Sequence, residues 1–326
     1  MKKLKILILI RRFDIKYPKH KHLFDSIAAL EEFAEVQYWH EDGNIHEILK
    51  KIKIEPDFIF MYDTTWGHGL TPEIKGLGKI KIPKGCYVID VHHKVENRRS
   101  YIENNKIDLI FSPSKRFFLK HHSEYKDKLR WIPFAINPDI IKDWKLEKDI
   151  NFLLMGLVYY DDPKKTAKKI GIKGRYEFRE AVYNKLKDNP DFVFVPHPGH
   201  RVSASEDAYI NEKYGKMLNR SKIFFTCSGK SDIAIAKYFE VLGCKSLLLA
   251  PTSNELLELG FKDKVNFIAC NKSNFYEKAL YYIKNEKERN RITNNGYEFV
   301  HKYHTNAVRA KEFIKYITDY LEMKNN

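Results

Sequence analysis

Apolar residues in this chain fall into short continuous runs, separated by stretches with helical spacing. The runs at 5–10, 35–39, 57–62, 86–90 and 109–112 read as strands, and those at 151–155, 191–195, 222–227, 246–250 and 265–269 repeat the pattern. Strands that are apolar throughout, rather than alternating, bury both faces, as in parallel sheets covered by helices. Helical spacing fills the gaps at 23–33, 45–52, 95–104 and 114–121, and again at 175–186, 208–218, 233–242 and 254–259. Helices at 275–284, 286–301 and 305–322 close the chain. Alternating strand and helix predicts an α/β protein with doubly wound parallel sheets.

The alternation breaks once, at Trp131-Ile132-Pro133-Phe134-Ala135-Ile136-Asn137-Pro138. Proline fixes its own φ and pushes the preceding residue toward extended backbone, so this segment reads as a linker. It divides the chain into an N-terminal domain at 1–135 and a second at 136–304. The last helix, 305–326, is placed as a segment that packs back on the N-terminal domain. A length of 326 residues, 43% of them hydrophobic, suits two cores better than one.

No apolar run approaches the roughly 18 residues of a membrane span. The first run leads into Arg11-Arg12 rather than a small-residue cleavage site, so it reads as a strand and the chain as cytoplasmic. Cys86, Cys227, Cys244 and Cys270 are far apart and form no C-x-x-C pair, which points to buried thiols rather than disulfides or zinc. The formal net charge of +15 fits an anionic partner, although a lysine-rich composition spread over solvated faces would give the same sum.

Several chemistries are missing from the sequence. The first strand-to-helix turn, Arg11-Arg12-Phe13-Asp14, lacks the glycines of a dinucleotide fingerprint. There is no P-loop, no D-x-D clamp and no H-E-x-x-H, which argues against dehydrogenase, kinase and metal-dependent transferase readings.

The candidates cluster after strands. Lys237-Tyr238-Phe239-Glu240-Val241-Leu242-Gly243 carries one acid on a helix that runs into the apolar strand Ser246 to Ala250. A carboxylate there accepts hydrogen bonds from vicinal hydroxyls such as those of a ribose, and Tyr238 lies beside it. Gly156 ends a strand where backbone can approach phosphate. Arg175 and Arg179, four apart, are expected on one helix face as guanidinium forks for a diphosphate. Ser228-Gly229-Lys230-Ser231-Asp232 joins a strand to a helix start and offers amides, hydroxyls and a cation to an anion. His197 follows another strand of the second half. In the first half, Asp90, His92 and His93 enter a loop after a strand, an arrangement that can orient hydroxyls or share a proton. Asp63, Trp66 and His68 follow the neighbouring strand, and Arg11 and Arg12 the first one; these are the acceptor-side candidates. Each pattern also has a plain structural reading, as a capped turn or a surface charge.

Taken in order, these residues resemble the CgeB/YkvP-like, group-1 glycosyltransferases. The likeness rests on Ser221-Lys222-Ile223, on Lys237-Tyr238-Phe239-Glu240-Val241-Leu242-Gly243-Cys244, on Asn295-Gly296 with His304-Thr305 and Arg309, and on the Asp-x-His of Asp90 and His92. It is weakest over 1–80. The resemblance implies a GT-B fold, two Rossmann-like doubly wound domains facing an interdomain cleft. It also implies a nucleotide sugar, of UDP type, as co-substrate, with no metal or other cofactor and with retention of anomeric configuration. Glu240 would take the ribose. The chain departs from the family in having Asp232 where a second glutamate is common and Lys237 where an arginine is usual. The acceptors that the charge suits are a polysaccharide, a teichoic-type polymer or DNA. The alternatives are a nucleic-acid-modifying transferase, a non-catalytic polyanion binder on the same fold, and a sugar-nucleotide epimerase.

Overall fold

The computed structural model describes residues 3–63, 69–162, 169–200, 202, 208–231 and 233–325. The chain forms two compact units, one of Met1–Lys16, Leu23–Pro133 and Asn306–Asn326, the other of Tyr17–His22 and Phe134–Thr305. The division departs from the sequence expectation at Tyr17–His22, which leaves the first unit and joins the second.

The first unit holds strands β1 (Lys5–Leu9), β2 (Glu35–Trp39), β3 (Phe58–Met61), β4 (Lys84–Tyr87), β5 (Leu109–Ser112) and β6 (Leu129–Trp131). They pair in parallel in the order β2-β1-β3-β4-β5-β6. Ile6 to Ile10 and Phe58 to Met61 are fully buried, because helices cover both faces of the sheet. β6 was not anticipated: it is a three-residue, half-buried edge strand next to Pro133, too short for an apolar run to mark it. The last helix, Asn306–Asn325, belongs with this unit. Phe313 stacks on Phe111 at 4.0 Å between ring centroids, and Tyr320 donates to Asp108 at 2.6 Å.

The second unit repeats the design with β7 (Ile150–Gly156), β8 (Phe192–Pro196), β9 (Ser221–Phe225), β10 (Leu247–Ala250) and β11 (Ile268–Ala269). All are parallel, in the order β8-β7-β9-β10-β11. Alternate residues feed two cores. Leu153, Met155, Phe224 and Leu248 pack with Tyr238, Phe239 and Leu242, while Phe152, Leu154, Phe225 and Leu249 pack with Phe178, Val182 and Phe275.

In each sheet the order reverses once, between β1 and β3 and between β7 and β9. At such a switch point the two flanking connections leave on opposite faces, which opens a crevice at the carboxyl ends of the strands. The register of the second sheet pairs Pro196 with Gly156 and Phe225 with Leu154, so the loops after β7, β8 and β9 leave from one edge.

Candidate functional site

The carboxyl edge of the second sheet concentrates positive charge at its switch point. Arg179, on the helix Glu177–Leu186, is 4% exposed and bridges the ends of both flanking strands. Its Nη1 donates to Leu157 O at 3.3 Å and its Nη2 to Cys227 O, and the guanidinium lies 4.4 Å from the centre of the Tyr176 ring. Its Nε is buried with no hydrogen-bond partner among the described residues, as is Thr226 Oγ1 at the end of β9. A buried donor without an acceptor is costly, so among the described residues this edge is short of an acceptor.

Lys237 comes to the same place from the helix Ala236–Gly243. Gly156 lies between the two cations: a Cβ built there would sit 3.4 Å from Lys237 Cε and 3.5 Å from Arg179 Nη1. Its φ of +124° is one that side-chain-bearing residues rarely adopt, so glycine both ends the strand and leaves room between the charges. Burial pushes the Lys237 ammonium down to about 8, with Arg179 acting in the same direction and Glu240 against it.

Glu240, one turn on from Lys237, is half-buried and accepts a 2.8 Å hydrogen bond from the Tyr214 hydroxyl of the helix Asn211–Arg220. Lys237 Nζ lies 5.5 Å from the centre of the Tyr214 ring. The tyrosine fixes one carboxylate oxygen and leaves the rest of the acceptor capacity of Glu240 for hydroxyl donors. The turn after β9 follows Cys227, and Gly229 takes φ +67° with its Cα packed where a Cβ would come within 2.6 Å of Arg175 O. Ser231 Oγ donates to Ser228 O at 3.3 Å. The Lys230 side chain and Asp232 lie outside the described residues.

Two expectations for this unit need correction. Arg175 does not share a helix face with Arg179, because the helix begins at Glu177 and Arg175 sits exposed in the turn before it. Tyr238 is a core residue, 1% exposed, whose hydroxyl donates to Pro251 O at 3.3 Å. His197 stands at the end of β8, one strand from Gly156, with Nε2 2.8 Å from Lys19 Nζ. The sequence pattern marks neither Tyr176 nor Tyr214; it marks Lys19 only as part of the basic stretch Arg11–His22, read as acceptor-side, and Lys237 only as a replaced arginine. For Lys237 a signal existed, since it stands three residues before Glu240 and so shares its helix face.

In the first unit the corresponding edge carries the loop 89–94. Asp63 is corrected from an acceptor contact to a buried anchor. It is 1% exposed, pairs with Arg98 Nη1 at 2.8 Å and accepts the Ile89 amide at 2.9 Å. Arg98 also donates to His93 O and Asp90 O, and His122 Nε2 lies 3.0 Å from Val91 O. The carbonyls of the loop are thus held from inside, while His92 and His93 are exposed and Asp90 is half-buried. Arg11 pairs with Asp42 at 2.6 Å and Arg12 with Asp14 at 2.9 Å, both at the surface. Trp66 and His68 lie outside the described residues. Among the described residues, all four cysteines are buried and unpaired, no three metal-ligating side chains come together, and no helix is long and apolar enough to cross a membrane.

Residues 175–315, which include Arg179, Lys237 and Glu240, match the model of a family described as glycosyl transferase-like. No curated protein matches the chain. Among solved structures, the chain is similar to sucrose-phosphate synthase from Thermosynechococcus elongatus, with a TM-score of 0.62, 10% identity, and 98% of this chain and 100% of that one covered. A glycosyltransferase from Rickettsia africae gives 0.59 at 10% identity, covering 98% of this chain and 99% of that one. Anabaena HepE, crystallised with UDP, gives 0.58 at 11% identity, covering 98% and 100%. The fold is GT-B. With the match over 175–315, the protein is a glycosyltransferase.

Proposed function

We propose that the second unit binds a UDP-sugar at the β7/β9 switch point and that the protein transfers the sugar to an acceptor hydroxyl without a metal. The observation that carries this reading is the convergence of Arg179 and Lys237 on Gly156, with buried donors that lack acceptors among the described residues. Two cations with one half-buried carboxylate beside them suit a diphosphate. The leaving group gains negative charge as the glycosidic bond breaks, and fixed cations in a dry site stabilise that charge most where it develops. Glu240, held by Tyr214, takes the ribose hydroxyls. UDP bound to HepE, a protein of the same fold, supports the choice of nucleotide. Retention of configuration, the CgeB/YkvP-like grouping and a cytoplasmic location complete the reading.

Calorimetry of UDP binding tests the ribose role. Glu240→Ala should weaken binding by about 1–3 kcal/mol, the cost of losing hydrogen bonds to a charged acceptor. Unchanged affinity in a folded variant would remove Glu240 from the site.

We assign the loop 89–94 of the first unit to the reacting hydroxyls, with Asp90 and His92 as the groups that orient them. Its backbone is held by Arg98 and His122, which leaves those side chains pre-positioned. His92→Ala should lower turnover about 100-fold or more, in assays run with excess EDTA, while UDP affinity stays the same. Near-normal turnover in the variant would reduce the pair to a structural turn, and loss of wild-type turnover in EDTA would overturn metal independence.

A further inference from the structure

The segment Tyr17–His22 supplies a second device at the same edge, one that the donor reading does not use. It packs within the second unit: Asn211 Nδ2 donates to Pro18 O at 3.2 Å, and the rings of His20 and His200 lie parallel with centroids 6.4 Å apart. Lys19 Nζ donates to Gly199 O at 2.6 Å and lies 2.8 Å from His197 Nε2. The state of His197 follows from its other nitrogen. The Gly199 amide donates to His197 Nδ1 at 3.0 Å. An amide can only donate, so Nδ1 carries no proton and the proton of the neutral ring is on Nε2, facing Lys19. An ammonium there would set donor against donor. The contact is a hydrogen bond only when Nζ offers a lone pair, that is, when Lys19 is an uncharged amine.

The surroundings favour the same state. Among the described residues, the groups around Lys19 are His20 and His22 on its own segment, His197 and His200 on the loop after β8, Lys237 on the helix Ala236–Gly243, and Lys169. None of these is an acid. Burial, followed by the charges of Lys237 and Lys169, brings Lys19 down to about 7. Glu240 faces Lys237 and Tyr214.

We propose that Lys19 is a further contact to the donor diphosphate, and that it takes up a proton from solvent as the donor binds. The inference rests on the donor site described above. A diphosphate beside Lys237 reverses the local field and favours the ammonium. The ammonium can no longer accept from His197 Nε2–H, so it turns to the phosphate oxygens. Lys19 thereby becomes a donor-sensing residue delivered from the N-terminal part of the chain.

The probe is UDP-glucose, whose diphosphate has no proton that titrates near neutrality. Its affinity should fall about tenfold from pH 7 to pH 8, about fivefold of this from Lys19 and about twofold from Lys237, given the positions of the two groups. In Lys19→Arg, which stays charged, the fall should shrink to about twofold, and proton uptake at pH 8, read by calorimetry in buffers of different ionisation heat, should drop by most of one proton. Lys19→Met should show the same flattened pH dependence with weaker binding at pH 7. A tenfold fall retained in both variants would overturn this inference and leave the donor site standing. No binding of UDP-glucose at any pH would overturn both.

Discussion

Arg179→Met is expected to weaken UDP binding by about 2–4 kcal/mol, roughly 30-fold to 1000-fold, and to lower kcat/KM at least as much. Methionine keeps much of the stem volume and removes the fork. The size of the effect follows from burial: a 4% exposed guanidinium whose Nε has no partner among the described residues meets its ligand with little water to screen the contact. Arg179 also ties Leu157 O to Cys227 O, so thermal unfolding must be followed alongside binding. A variant that binds UDP normally would show that the diphosphate lies elsewhere.

Arg98→Ala should destabilise the first unit by about 3–5 kcal/mol, because it strands the Asp63 carboxylate in the interior. The side chains of the pair are 2% and 0% exposed, and Arg98 also serves His93 O and Asp90 O. Asp63→Ala should cost a similar amount for the converse reason. The double variant should cost less than the sum of the two, because neither charge is then left alone. Urea titration of the three variants measures this. Strict additivity would contradict the coupling, and a small loss in either single variant would mean that water reaches the pair.

The apolar runs made both sheets legible, because strands buried on two faces leave no polar positions to blur them. β6 escaped because it is short, half-buried and ends against a proline. Glu240, Gly156 and Arg179 were legible from their places after strands or on the following helices. Arg175 misled because periodicity does not fix the first turn of a helix: the Gly174 amide is bound by Glu180, and the helix starts at Glu177. Asp63 showed its position but not its burial, since its partner Arg98 is 35 residues away. Lys19 showed only as one charge in the basic stretch Arg11–His22, read as acceptor-side, because its partner His197 is 178 positions distant and is met only when the chain folds.

The proposed donor chemistry depends on the nucleotide sitting at the β7/β9 switch point of the second unit. A crystal structure of the protein with UDP would decide this placement. Diphosphate oxygens are expected within hydrogen-bond distance of Arg179 and Lys237, close against Gly156, with the ribose hydroxyls on Glu240. UDP bound at the first sheet, or bound to the second unit with Arg179 and Glu240 untouched, would contradict it.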